Sequence, residues 1–244
     1  MTPPSLPNAT FVLVHGAFHG GWCWRAVTQP LRARGHTVFT PTLTGLGERR
    51  HLLSNDVDVG LWVADLVGVI EAEELQDVIL VGHSFAGLLI SGVADRLATR
   101  LRRLVYLDAS IAVSGAPMRD DILPDIWAAR MAAAFDVGGV RCIASPKASF
   151  FGVTDPALAE WVERRLTPMP VRAYETAIDL AHPVGNGVPV TYIECTAPRF
   201  PVATRSVALA RALGWPVLEF PAAHDAMVTA PEELARVLAG LADG

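Results

Sequence analysis

The sequence predicts an α/β protein: a mostly parallel sheet of about six strands between layers of helices, with a helical cap. Three observations carry this reading. First, six short runs have the length and apolar character of strands: "ATFVLVHG", "GHTVFTPTL", "DVILVGHS", "RRLVYLDA", "VPVTYIECT" and "WPVLEFPAA". Several are apolar nearly throughout, as expected of strands covered on both faces of a parallel sheet. Second, helix-length amphipathic segments separate them, at 22–34, 56–74, 85–97, 200–213 and 231–240. Third, the rhythm breaks once, between "LVYLDAS" and "GVPVTYIECT", where a long stretch carries helical patterning, scattered prolines and no clear strand.

Taken in order, few residues precede the first strand, so no extra N-terminal hairpin is expected. The first helix closes at Gly35, and the last carries Pro231 in its first turn, where a missing N–H does no harm. Strand–helix alternation implies right-handed crossovers. The chain divides into a core over 1–110, a cap over 111–187 and the rest of the core over 188–244. The cap segment is too long for a plain crossover, and its apolar residues (Met118, Ile122, Leu123, Ile126, Trp127, Met131, Phe135, Phe150, Phe151, Trp161) suit a lid over a site. Phe18, Trp127 and Met131 are the expected apolar contacts to a substrate.

Composition narrows the function classes. The chain has 244 residues, 51% hydrophobic and 18% charged, enough for a substantial core. A formal net charge of −5 argues against a nucleic-acid partner, which needs a basic face. Cys23, Cys142 and Cys195 are odd in number and widely spaced. They suggest neither a disulfide framework nor a zinc site, and fit a reducing cytoplasm. "MTPPSLPNAT" lacks the basic-then-apolar pattern of a leader, and no apolar run approaches a membrane span of roughly 20 residues. A cytoplasmic protein with a small-molecule substrate, no membrane partner, no cofactor and no metal is expected.

The chemistry concentrates in three places. Gly82-His83-Ser84-Phe85-Ala86-Gly87 follows the strand "VILV" and precedes a helix, the setting of a nucleophile elbow. Ala86 stands where glycine is commoner. In "VLVHGAFHGGWCW", a turn at Gly16 can aim the N–H of Ala17 into a site, with the N–H of Phe85 as partner. Two such donors stabilise the oxyanion of an acyl-transfer intermediate. His15 and His19 read as loop hydrogen-bonding groups, since the glycines around them deny the helix that an i, i+4 metal pair requires. "FPAAHDAMVTAPEEL" puts His224 on a loop after the last strand, giving the chain order serine, then late histidine. "TGLGERRH" is a weak partial phosphate motif whose Arg49 and Arg50 read as a solvated loop.

With these motifs, the chain resembles an α/β-hydrolase of the branch that holds plant methylesterases, hydroxynitrile lyases and small bacterial esterase-like relatives. The likeness runs through "FVLVHGAFHGGWCW", "GHTVFTPTLTGLGERRHLL", "VILVGHSFAG", "RLVYLDA", "FGVTDPALAEWVERRLTP" and "HDAMVTAPEEL". It implies Ser84 as nucleophile, His224 as general base, Ala17 and Phe85 as the oxyanion-hole residues, and a possible homodimer. Lyases of this branch carry a threonine where Gly16 stands and a lysine where Asp225 stands. The lysine handles the charge of departing cyanide, so Asp225 favours hydrolysis.

The branch usually places its catalytic acid just after the strand written here "VTYIECT", where this chain has Ala197 and Pro198. Asp108, at the C-terminal end of the strand after the nucleophile's own, is the expected acid. Glu194 is the competing carboxylate, and no acid at all is the third alternative. The expected activity is serine hydrolysis of a small, largely apolar carboxylic ester or related acyl compound. The rivals are a lyase or cyclase using the same pocket and a catalytically degenerate ligand-binding protein.

Overall fold

A computed structural model describes residues 8–242 of the chain. The expectations of no leader and no extra hairpin fall largely on residues 1–7, outside the described residues. In chain order the elements are β1 (Thr10–Val14), α1 (Arg25–Ala33), β2 (Thr37–Phe39), α2 (Val59–Ala72), β3 (Val78–His83), α3 (Ala86–Leu97) and β4 (Leu101–Leu107). Then come α4 (Pro124–Ala132), β5 (Phe135–Val137), β6 (Val140–Ile143), α5 (Pro156–Glu163), β7 (Met169–Pro170) and α6 (Val171–Glu175). The chain closes with β8 (Val190–Cys195), α7 (Thr204–Ala212), β9 (Val217–Phe220), α8 (Ala226–Thr229) and α9 (Pro231–Gly240).

The six expected strands form one parallel sheet in the order β2-β1-β3-β4-β8-β9. Alternate side chains feed opposite faces, as the two-residue period of a strand requires. Val12 and Val14 of β1 and Val78 and Leu80 of β3 pack against Trp62, Leu66 and Ile70 of α2 and Leu89 and Val93 of α3. Phe11, Leu13, Ile79 and Val81 enter a second core with Val27 and Leu31 of α1 and Leu234 and Leu238 of α9. Both faces are apolar, so the strands read as continuous hydrophobic runs. Helix α2 starts where the Asp58 carboxylate accepts from the Leu61 N–H at 3.0 Å, a side-chain N-cap.

The strand order reverses between β1 and β3, because β2 lies on one side of β1 and β3 on the other. Loops after adjacent strands diverge at such a point and leave a crevice at the carboxyl ends. The oxyanion loop follows β1 and the serine follows β3.

The segment after β4 departs from the expectation of a strandless insertion. It holds α4, α5 and α6, but also a three-stranded antiparallel sheet in the order β5-β6-β7. Gly138 and Gly139, at φ +60° and +89°, close a two-residue hairpin between β5 and β6. Both central residues of that turn need positive φ, which glycine supplies without strain. "FDVGGVRCI" therefore carries a hairpin signal that its apolar spacing obscures.

Candidate active site

Ser84 sits in the turn between β3 and α3 at φ +55°, a left-handed conformation uncommon for a residue with a Cβ. Such strain costs roughly 1–3 kcal/mol and persists only where surrounding bonds hold it. Here the Ser84 N–H donates to the Leu107 carbonyl at 3.1 Å, and the Ser84 carbonyl accepts from Ser110 at 3.0 Å and Gly87 at 3.2 Å. Space is equally tight. A Cβ at Gly82 would lie 2.8 Å from the Ala86 carbonyl oxygen, and one at Gly16 would lie 2.8 Å from the Ser84 Cβ.

His224 and Asp108 complete a hydrogen-bonded row. The Ser84 Oγ is 3.0 Å from His224 Nε2, and His224 Nδ1 is 2.7 Å from Asp108 Oδ2. Asp108 stands at the end of β4, its N–H donating to the Ile193 carbonyl at 2.8 Å, and its Oδ1 accepts from the Cys195 N–H at 3.2 Å. Parallel strands lie about 4.8 Å apart, so a carboxylate on β4 can reach a histidine over β3. The Asp108 carboxylate requires His224 to carry its proton on Nδ1, which leaves Nε2 free to accept the serine proton. Glu194 is elsewhere. It forms ion pairs with Arg199 and with Arg211, the latter at 3.2 Å, and makes no bond to His224.

Neither the Ala17 nor the Phe85 N–H donates to an acceptor among the described residues. Both residues line a cavity of about 350 Å³, together with Ser84, Asp108 and His224. That volume suits a small organic molecule. The wall is mainly aromatic and aliphatic: Phe18, Phe150, Phe151, Tyr174, Phe200, Met118, Ile122, Leu123 and Ile126. Phe200 stacks on the His224 ring at 3.8 Å between centroids. Phe18, one of the three residues expected to contact a substrate, is part of this lining. Trp127 and Met131 do not join this lining: Trp127 stands behind Tyr174 at 5.9 Å and faces an outer groove, and Met131 packs on the core.

Beneath the row lies a buried cluster that the sequence did not assemble. His15 bridges two backbone groups: its Nδ1 donates to the Gly16 carbonyl at 2.9 Å and its Nε2 accepts from the Leu43 N–H at 3.1 Å. Burial lowers its pKa to about 3, so it is neutral. His83 Nε2 donates to the His224 carbonyl at 3.0 Å, and burial, reinforced by His224, holds His83 well below the ordinary histidine range. His19 differs. Its Nδ1 faces the Ala17 carbonyl at 2.8 Å and its Nε2 faces Asp225 Oδ2 at 3.0 Å, so both nitrogens donate and the ring is an imidazolium. Burial opposes that charge, but the Asp225 carboxylate outweighs it and raises the His19 pKa. Burial likewise opposes the Asp225 charge, and His19 outweighs it, lowering the Asp225 pKa. Asp225 is fully buried and points away from the cavity. Nothing local in the sequence signals this pair, whose members lie 206 residues apart.

The arrangement can move a proton from Ser84 to His224 and present two N–H donors to a developing oxyanion. Among the described residues, no group of three or more His, Cys, Asp or Glu side chains could hold a metal. No helix among them is long and apolar enough to cross a membrane.

The chain resembles known proteins along most of its length. A family profile described as "Alpha/beta hydrolase family" matches residues 11–237. A "Carbendazim hydrolyzing esterase" of Nocardioides sp. (strain SG-4G) is 42% identical over 247 residues, covering 96% of this chain and 99% of that protein. An "Alpha-hydroxynitrile lyase" of Arabidopsis thaliana is 34% identical over a shorter stretch, 41% of this chain and 39% of that protein. Among solved structures, an extracellular alpha/beta-hydrolase from a Paenibacillus species superposes with a TM-score of 0.81 at 25% identity, covering 95% of this chain and 98% of that one.

Proposed function

Because this chain belongs to the α/β-hydrolase family and is a carboxylic ester hydrolase, we propose that it works through an acyl-enzyme on Ser84, with a small, largely apolar and preferably aromatic substrate. The observation that carries this reading is the row Ser84–His224–Asp108, at 3.0 and 2.7 Å, on the floor of an aromatic cavity. His224 takes the Ser84 proton as Oγ attacks the carbonyl, and Asp108 steadies the resulting imidazolium. The negative charge gathers on the former carbonyl oxygen, within reach of the Ala17 and Phe85 N–H groups. Their freedom from other partners means no bond is broken when the oxyanion forms. His224 then returns the proton to the leaving alcohol, and water repeats the cycle to release the acid.

The size and lining of the cavity support the substrate class. Flat rings can stack on Phe18, Phe150, Phe151 and Phe200 without a polar group losing its partner. Carbendazim, the compound named for the Nocardioides relative, is a reasonable first candidate alongside p-nitrophenyl esters. Asp225 supports hydrolysis over cyanohydrin cleavage, since its carboxylate is turned into the core and bonded to His19.

A fluorophosphonate probe and a panel of esters test the mechanism. Mass addition on Ser84 and turnover are both expected, and Ser84→Ala should abolish both while remaining folded. Wild-type turnover surviving in Ser84→Ala would sink the acyl-enzyme. Labelling without turnover of any ester would favour the lyase or cyclase reading.

A further inference from the structure

Besides Ser110 and the Arg205–Asp121 pair, the cavity wall has a polar corner made by Tyr174 of α6 and Arg130 of α4. Tyr174 is 4% exposed, with its ring packed edge-on against Phe85 at 5.4 Å and tilted against Trp127 at 5.9 Å. Its hydroxyl makes no hydrogen bond among the described residues. The ring is buried but the hydroxyl is not fully so, and it opens on the cavity, where a substrate acceptor can meet it. Arg130 lines the same cavity, close enough for its charge to act on Tyr174, and it has no ion pair among the described residues. The other arginine in the wall, Arg205, is already paired with Asp121. A half-buried cation without a counter-charge beside an unpartnered hydroxyl describes a site awaiting an acceptor.

The position of the corner says which part of a substrate reaches it. The alcohol must depart beside His224, which protonates it, and that side is flanked by Phe200 and Phe151. Tyr174 touches neither; its ring contacts are Phe85 and Trp127. The acyl group, which remains on Ser84, is therefore the part that extends along Phe85 toward Tyr174. Resting on the acyl-enzyme reading above, we propose that Tyr174 and Arg130 recognise a hydrogen-bond acceptor at the far end of an otherwise apolar acyl chain, foremost a carboxylate, so that among aliphatic acyl groups of matched length those ending in a carboxylate or oxo group are preferred. The hydroxyl donates to either kind of acceptor, and the guanidinium adds charge complementarity for the carboxylate alone.

The test compares p-nitrophenyl hexanoate with the mono-p-nitrophenyl esters of glutaric and adipic acids and with p-nitrophenyl 5-oxohexanoate. Wild-type kcat/KM should favour the acceptor-bearing esters over hexanoate by on the order of tenfold or more, because a site built for a polar group rejects an analogue lacking it. In Tyr174→Phe the ratio should collapse for both acceptor types, and in Arg130→Met for the carboxylates only. Turnover of hexanoate as good as that of every acceptor ester overturns the proposal and leaves the hydrolase standing. Ratios unchanged in both variants overturn it as well. Should no ester be turned over, the acyl-enzyme reading fails by itself, and calorimetric binding of the same esters to Ser84→Ala then decides: equal affinity for hexanoate and adipate esters overturns the polar corner, and tighter adipate binding lost in Arg130→Met supports it.

Discussion

The floor and the roof of the cavity are built in opposite ways. The floor comes from loops after β1 and β3 and before α8, and its polar groups are almost completely buried: His15, His19, His83 and Asp225 are each exposed by 1% or less. Most of their nitrogens and oxygens meet a named partner. The roof comes from the segment after β4, where Leu123, Ile126 and Phe150 stand 64%, 44% and 46% exposed. A buried polar network holds groups in one geometry because any displacement strands a donor. An apolar roof with exposed side chains has no such penalty and can adjust to the molecule beneath it. On the acyl-enzyme reading, the floor is expected to govern rate and the roof to govern which substrate is accepted.

The largest test of the floor is the removal of the His224 partner. Asp108→Asn keeps the shape of the side chain but donates where it should accept, which favours the wrong histidine tautomer. A loss on the order of 10²–10⁴ in kcat is expected, on whichever ester is turned over best. Glu194→Gln, the control, should leave kcat essentially unchanged because Glu194 only ties Arg199 and Arg211 together. Equal, small losses in both variants would mean that His224 works without a carboxylate.

The second test strands a charge. Asp225→Asn leaves the His19 imidazolium without its counter-ion, and breaking a buried pair from one side costs about 3–5 kcal/mol. Since His19 holds the Ala17 carbonyl and the Phe18 turn at φ +69°, kcat should fall along with stability. Replacing both members, as His19→Gln with Asp225→Asn, removes the stranded charge and should recover much of the stability. A double variant as unstable as Asp225→Asn alone would show that packing, and not charge, is what the pair supplies.

Which parts of this site are legible in the sequence follows from how locally each is encoded. The elbow is legible because a strand, a small-residue turn and a helix lie within one short stretch. Asp108 is legible because adjacent parallel strands end together, so the carboxyl end of β4 must lie beside that of β3. The His19–Asp225 pair is not, because it joins two loops across the whole sheet and neither residue has a local signature. Tyr174 and Phe200 escape for the same reason: a short helix and an irregular loop carry them, and only the packed roof decides what they face. The Gly138–Gly139 hairpin is the reverse case, a local signal masked by a segment whose helices dominate the pattern.

Acid should unfasten the floor before the roof. His15 and His83 are buried neutral in the folded protein, but unfolding frees both to take a proton below the ordinary histidine value of 6.5. The unfolded state then binds more protons, so stability falls as pH drops below about 6.5, by up to about 1.4 kcal/mol per pH unit for each group. His19 acts in the other direction: its raised pKa gives a contribution that is full below 6.5 and is lost as pH rises through its folded value. Asp225, held low, keeps its contribution above 3.8 and loses it only as pH falls through its folded value. Urea midpoints measured from pH 4.5 to 8.5 should peak near 6.5 and drop more steeply on the acid side. A flat profile between pH 5 and 7 would contradict the neutral burial of His15 and His83.

The smallest expected effects belong to the roof, and their pattern matters more than their size. Leu123 and Ile126 already face solvent in part, so Leu123→Ala and Ile126→Ala should change stability by no more than about 0.5 kcal/mol each. Both side chains also line the cavity, where a buried methylene of substrate is worth roughly 1–3 kcal/mol. The wild type should therefore prefer octanoate and benzoate esters to acetate by about tenfold or more, and each variant should narrow that preference severalfold through KM more than kcat, since neither residue touches the reacting atoms. The opposite pattern is equally readable. If the truncations destabilise the protein by several kcal/mol and leave the octanoate-to-acetate ratio where it was, the roof residues pack mainly on one another. Substrate preference would then be set lower in the cavity, by Phe18, Phe151 and Phe200 around the Ser84–His224 pair.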